Sequence, residues 1–114
     1  MNYDKLDDAI GRIDSFANND LSLRSAPLKA RIIAKSLIYH MYSIDICPKY
    51  IDPTEDGSII VVFEEDGSLW DFEVDDSGEI SILQDLSEEG KVKFFDILYS
   101  ELWEFFENNV KCTK

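Results

Sequence analysis

Asp71 and Glu73 are the first pair of residues in this sequence to consider as catalytic groups, because of their types and spacing. They lie two residues apart in an alternating segment, so a strand would place both carboxylates on one face. Such a pair can serve acid–base catalysis. However, any solvent-facing strand offers such pairs, and the only histidine, His40, lies beside an apolar helical stripe. We therefore predict a partly buried structural histidine, no catalytic residues and no enzymatic activity.

The segment from Asp52 to Phe63 partly matches a calcium-binding loop. It agrees at positions one, five, six and eight, but position twelve is Phe63 instead of a bidentate glutamate. Its flanks have the pattern of strands rather than helices, which favours an ordinary turn over a calcium site. The sequence contains no phosphate-binding, dinucleotide-binding or thiol-redox motif. We predict no metal and no cofactor.

Acidic residues are concentrated in one part of the chain. Residues 50–90 contain fourteen aspartates and glutamates and neither lysine nor arginine. The formal charges of residues 1–49, 50–90 and 91–114 are +1, −14 and 0, which account for the net charge of −13. The apolar fraction of 45% is that of a folded domain, so this charge belongs to a surface rather than to a disordered segment. Direct binding of nucleic acid is disfavoured, because its phosphates carry the same sign.

The chain is expected to form one α+β domain, residues 1–114, that begins with two helices. Apolar residues recur every three or four positions over 2–17 and 25–46, with Ser25 as the N-cap of the second helix. The sequence has no signal-peptide pattern and no apolar run that could cross a membrane. We therefore predict a cytoplasmic protein without membrane contact. Its two thiols, Cys47 and Cys112, are expected to be free, with a disulfide between them as the minor alternative.

After residue 48 the apolar period changes from 3.6 to 2, which predicts strands. We expect strands at 49–51, 58–64, 69–75 and 79–83, which form an antiparallel meander of three or four strands. A C-terminal helix over 87–109, with Ser87 as N-cap, is expected to pack on this sheet. Its broad apolar face contains Trp103 and Phe106, which are candidates for a hydrophobic interface.

The acids of residues 50–90 fall on the outward strand positions and the tight turns of this predicted sheet. Acids favour such positions in most proteins, but ordinary exposed surfaces also contain lysines. We interpret the region as an electronegative surface that binds a basic protein through arginine–carboxylate pairs, with solubility alone as the alternative. The predicted partner-binding residues are Glu64, Glu65, Asp66, Asp71, Glu73, Asp75 and Asp76.

Residues 48–82, PKYIDPTEDGSIIVVFEEDGSLWDFEVDDSGEI, resemble small bacterial proteins of the antitoxin or immunity type. The pattern is a Pro-Thr-x-Asp-Gly-Gly turn, a strand, a tight turn, a second strand and an Asp-Gly turn. This chain differs in having Ser58 in place of the second glycine and Trp70 on the second strand rather than the first. The resemblance implies a partner-binding protein, and it assigns a role to no particular residue.

Charge and resemblance together favour a small inhibitor that neutralises a basic partner, either a nuclease-like toxin or a nucleic-acid-binding effector. It would act as an antitoxin or immunity protein, or as a phage-type anti-defence inhibitor that mimics the charge of DNA. The alternative is a structural or chaperone-like homodimer that uses the aromatic face of the C-terminal helix. The inhibitor itself is expected to be a monomer or a homodimer.

Overall fold

The structure, a computed structural model, describes residues 3–17, 26–65, 67–86 and 90–110. Its elements are α1 (Tyr3–Ser15), α2 (Leu28–Ser43), β1 (Tyr50–Pro53), β2 (Ile59–Glu65), β3 (Ser68–Val74), β4 (Ile80–Leu86), β5 (Lys91–Ile97), a 3-10 helix (Tyr99–Glu101) and α3 (Leu102–Asn109). The strands form one antiparallel sheet in the order β1-β2-β3-β4-β5. The predicted α+β class, with two N-terminal helices and a C-terminal helix, is confirmed. The sheet has five strands instead of the three or four expected.

The helices pack on one face of the sheet, and the core lies between the two layers. In β3, Trp70, Phe72 and Val74 are buried and alternate with half-buried residues. The rings of Phe105 and Phe106 in α3 lie 6.0 and 5.5 Å from the ring of Phe72. The buried residues of α2 are Ala30, Ile33, Ala34, Leu37, Ile38, Met41 and Tyr42. Because buried and less buried positions alternate along the strands, the other face of the sheet points to solvent.

The strand β5 corrects the prediction of a helix over 87–109, of which only residues 102–109 form α3. Pairing with β4 satisfies the backbone groups of β5 that face β4, and it places Phe95 and Ile97 against the core. Gly90, just before β5, has a φ of 64°, a left-handed conformation that suits a hairpin turn. The predicted N-cap Ser87 lies outside the described residues. The free energy gained by pairing with the open edge of β4 therefore outweighs the preference for a helix that the spacing of the apolar residues indicates.

The helix α2 ends at Ser43, three residues before the predicted end at 46. Asp45 has a φ of 61°, and the amide of Ile46 donates to the carbonyl of Met41 at 2.8 Å. This is the hydrogen bond that closes a Schellman-type helix end. Ser25 and Cys112 lie outside the described residues, and the thiol of Cys47 is exposed. No helix in the described ranges is both long and apolar enough to span a membrane.

Candidate functional site

The face of the sheet opposite the core, here called the outer face, has no helix packed over it in the described ranges. Several of its apolar side chains are exposed, with 75% for Phe94, 60% for Tyr50 and 49% for Val92. Strand register and alternation define its fourteen positions as Tyr50, Asp52, Ile60, Val62, Glu64, Leu69, Asp71, Glu73, Ser81, Leu83, Asp85, Val92, Phe94 and Asp96. Six of these are acids, seven are apolar and one is serine, so the outer face combines strong negative charge with exposed apolar area.

The outer face has no lysine or arginine at any of its fourteen strand positions. The two lysines of β5, Lys91 and Lys93, occupy the alternate positions; Lys93 is in register with Gln84, which in turn is in register with the core residue Trp70. They therefore belong to the core side of the strand. The sequence has no lysine or arginine over residues 50–90. In three dimensions, every charged strand position of the outer face is an acid.

The register arranges the outer face in three rows across the strands. The middle row is mainly apolar and consists of Tyr50, Val62, Asp71, Leu83 and Phe94. The flanking rows contain more acids: Asp52, Ile60, Glu73, Ser81 and Asp96 on one side, and Glu64, Leu69, Asp85 and Val92 on the other. With strands about 4.8 Å apart, the middle row is about 19 Å long. An apolar row with acids on both sides is suited to a partner whose apolar contact surface is bordered by bases.

Among the outer-face acids, only the two nearest β1 have ion-pair partners among the described residues. Arg12 lies 2.7 Å from Asp52, and Lys49 lies 2.5 Å from Glu64. The outer-face acids without such a partner in the described ranges are Asp71, Glu73, Asp85 and Asp96. The uncompensated charge is therefore concentrated on β3, β4 and β5, beside the exposed ring of Phe94.

Burial of the carboxylates on β3 shifts their titration. It raises the pKa of Asp71. It also raises the pKa of Glu73, where the negative charges of Asp56, Asp71 and Asp75 add to the effect and a hydrogen bond with Ser58 opposes it. Both groups are thus carboxylates whose charged form is poorly stabilised within the described part of the protein. A cationic partner would supply that stabilisation.

The Asp71→Asn variant is expected to be more stable than the wild type near pH 7, by about 0.5 kcal/mol. Because folding raises the pKa of Asp71, ionisation of this carboxyl lowers the free energy of unfolding as the pH rises through its pKa. Well below pH 3.8, Asp71 is protonated in both the folded and the unfolded state and has no such effect. The gain should therefore vanish at pH 3. Urea denaturation at pH 3, 5 and 7 measures it.

Asp75→Asn is the matched control for this pH effect. Burial by itself raises the pKa of Asp75, but hydrogen bonds from Ser77 and from the amide of Glu79 outweigh it and lower the pKa. The ionised carboxylate of Asp75 therefore stabilises the folded state at pH values above its pKa in the unfolded chain, and this stabilisation is lost as the pH falls. The Asp75→Asn variant should accordingly be less stable than the wild type at pH 7. A loss of stability in Asp71→Asn at pH 7 would contradict the assignment of Asp71 as a destabilised carboxylate.

The seven predicted partner-binding residues do not form one patch. Glu64, Asp71 and Glu73 lie together on the outer face. Glu65 is in register with Ser68 and occupies a core-side position. It lies at one end of the sheet, and the turn that follows β3 lies at the other end, about 20 Å away. That turn contains the other two described members, Asp75 and Asp76, and Asp66 lies outside the described residues.

Of the two aromatic residues predicted for a hydrophobic interface, only Trp103 is accessible. Its side chain is 42% exposed, whereas Phe106 is 2% exposed and belongs to the core. His40 is partly buried, as predicted, with its ring 4.2 Å from that of Trp103 and 4.8 Å from that of Phe106. Burial lowers the pKa of His40, against the opposing charge of Glu107. The histidine therefore acts as a packing residue between α2 and α3.

Sequence reasoning missed the contribution of β5 to the outer face, namely Val92, Phe94 and Asp96. Val92 and Phe94 lie two residues apart, as do Phe95 and Ile97, so a strand would place one apolar pair on each face. The segment has no strict alternation of apolar and polar residues, and its apolar residues also fit helical spacing, so the strand was not predicted.

The partial calcium-loop match corresponds to a turn in which two of the carboxylates have partners within the protein. The carboxylate of Asp52 pairs with Arg12, and that of Asp56 accepts a hydrogen bond from the hydroxyl of Thr54. Over the residues that the structure describes, no three His, Cys, Asp or Glu side chains converge as a metal site. The carboxylates and exposed apolar side chains of the outer face can take part in ion pairs and apolar contacts.

The fold and this face define a class: a small α+β protein with helices on one side of an antiparallel sheet and an acidic, apolar face on the other. Comparisons with protein-family models, with curated proteins and with solved structures found nothing that matches this chain.

Proposed function

We propose that this protein is a small non-enzymatic inhibitor, active in the cytoplasm, that neutralises a basic protein partner by covering its cationic surface with the outer face. The observation that supports the proposal is the composition of that face: six acids, seven apolar residues and no base at its strand positions.

Occlusion is the proposed mechanism. Carboxylates on β3, β4 and β5 would meet the arginines and lysines with which a nuclease-like toxin or nucleic-acid-binding effector holds phosphates. The exposed rings of Phe94 and Tyr50 would exclude water from these contacts and so strengthen them. Five strands of up to seven residues cover about 24 Å by 23 Å. This is of the same order as the roughly 800 Å² that one partner contributes to a standard interface.

The protein could exert this function as an antitoxin or immunity protein, or as an anti-defence inhibitor whose acids take the place of DNA phosphates. Both forms need the same surface and differ in the partner. Identification of the captured protein distinguishes them, because one partner is a toxin encoded with its inhibitor and the other is a host defence nuclease.

Capture of the partner by the immobilised wild-type protein is expected to depend on both salt and Phe94. The wild type should retain a basic protein from a lysate of its native host at low salt and release it at high salt, since ion pairs at the edge of an interface are screened. Phe94→Ser should retain about tenfold less. The fraction bound is measured by quantitative mass spectrometry.

Tyr39→Ser is the matched control for this capture, because Tyr39 is also an exposed aromatic residue but lies on α2, away from the outer face. Its capture should equal that of the wild type. Equal retention at low and high salt, or equal retention by Phe94→Ser and the wild type, would contradict the proposal.

A structural or chaperone-like homodimer is the second candidate function, and exposed aromatic residues on the helical side favour it. Tyr39, Tyr99 and Trp103 are all exposed, and the rings of Tyr99 and Trp103 lie 6.5 Å apart. Light scattering distinguishes the two functions. A dimer that persists at high salt and is lost in Trp103→Ser would support this alternative.

A further inference from the structure

A groove of about 350 Å³ crosses the outer face between β3 and β5. The register shows how it forms, because Ser81 of β4 lies between Glu73 and Asp96 in one row. The positions of the two acids are two strand spacings apart, or about 10 Å. Serine is short, so the space above it stays open between two carboxylates.

The next row gives the groove an apolar end. Asp71, Leu83 and Phe94 are neighbours in register there, and the ring of Phe94 is largely exposed. The groove thus has three acids (Asp71, Glu73 and Asp96) around an apolar wall made by Leu83 and Phe94.

Charge and shape together select the occupant. None of the three acids has an ion-pair partner among the residues that the structure describes, so the groove is complementary in charge to a cation. Its apolar wall requires a side chain with a hydrocarbon stem, which arginine and lysine both have. Only arginine adds a planar fork of donors that can bridge two carboxylates and a flat cation that stacks on an aromatic ring.

We propose that this groove receives an arginine side chain of the basic partner, with its stem against Leu83 and Phe94 and its guanidinium above Ser81, between Glu73 and Asp96. This inference rests on the proposed function and specifies which residue of the partner the outer face recognises. A second copy of the chain is a poorer occupant, because two molecules with a net charge of −13 each repel one another.

Titration with three short peptides tests the groove directly. The probes are acetyl-Gly-Arg-Gly-amide and its lysine and citrulline counterparts, and the measurement is the ¹H–¹⁵N NMR spectrum of the full chain at low ionic strength. The arginine peptide should cause saturable shifts confined to amides near Ser81, Leu83 and Phe94, with a dissociation constant of the order of millimolar. The citrulline peptide, which lacks the charge, should bind about tenfold more weakly, and the lysine peptide should lie between them. Equal binding of the arginine and lysine peptides, or shifts spread evenly over all acidic segments, would overturn the proposal.

Two variants separate the groove from the general negative field. Ser81→Leu fills the floor of the groove without a change in charge and should weaken the arginine peptide about tenfold. Asp85→Asn removes an outer-face charge outside the groove and should change the affinity by less than about twofold. If Ser81→Leu does not fold, the near-isosteric Glu73→Gln and Asp96→Asn variants should give the same loss.

The outcomes also separate this inference from the proposed function. If Ser81→Leu binds the arginine peptide as the wild type does, the groove proposal is wrong, while salt-dependent capture through the outer face can still hold. If the peptide binds as expected but no basic protein is captured, the proposed function is wrong and the arginine site remains. Shifts of the same amides that grow with protein concentration, without peptide, would assign the groove to a second copy and refute the proposal.

Discussion

Reversal of three outer-face charges, with Asp71→Lys, Glu73→Lys and Asp96→Lys, is expected to abolish capture of the basic partner. Each change replaces an attraction by a repulsion, and close charge pairs at protein interfaces contribute about 2 kcal/mol or more each, so the affinity should fall at least about 100-fold. The fold should survive, because long lysine side chains can extend to solvent and the wild-type carboxylates repel one another. Calorimetry with the purified partner measures the affinity, and circular dichroism checks the fold.

A triple variant with the same change in net charge is the control: Asp7→Lys, Glu55→Lys and Glu104→Lys, all at exposed positions off the outer face. It should retain most of the affinity. If it loses as much as the outer-face variant, the total charge rather than this face controls binding. Asp75 is left unchanged in both variants, because its carboxylate accepts hydrogen bonds from the amides of Ser77 and Glu79 at 2.9 and 3.0 Å and so stabilises the turn.

Phe72→Ala is expected to lower the free energy of unfolding by about 3–5 kcal/mol. Phe72 is fully buried on a central strand, and its ring lies 5.5 Å from those of both Phe63 and Phe106. Alanine would remove these contacts and leave a cavity that the paired strands cannot close. For a domain of this size the melting temperature should fall by about 15 °C or more. Urea and thermal denaturation both measure the change.

Phe94→Ala is the matched control, since it makes the same substitution on the opposite face of the same sheet. Phe94 is largely exposed, so the stability should change by no more than about 0.5 kcal/mol. A loss comparable to that of Phe72→Ala would mean that the outer face is covered in the free protein, which would contradict its proposed role as an open binding surface.

Local periodicity in the sequence was sufficient to predict most of the secondary structure. The apolar spacing of α1 and α2, the continuous apolar run of β2 and the period of two in β3 and β4 are local signals. Each of these elements lies within a few residues of its predicted bounds. The buried positions of β3 are the apolar members of that alternation, Trp70, Phe72 and Val74. The α+β class follows from the order of these elements.

The segment at 91–97 shows why the rest could not be predicted locally. Its apolar residues fit both a helical period and a strand, so local spacing does not decide between them. The decision depends on an edge of β4 that exists only when β2, β3 and β4 have paired. The predicted site inherited this error, because Phe94 and Asp96 were assigned to a helix and so were kept apart from Asp71 and Glu73.

The sequence by itself determined that this protein has a strongly acidic region without bases. It also determined that the region belongs to a sheet whose strands come between helices in the chain. Only the tertiary structure decided which acids lie side by side. Pairing across β4 places Asp96 opposite Ser81 and Glu73, whereas Asp75 and Asp76, nearer to Glu73 in sequence, lie in a turn at the end of the sheet. The physical reason is that charge is a property of residues, whereas a binding surface depends on hydrogen-bond register between strands distant in sequence.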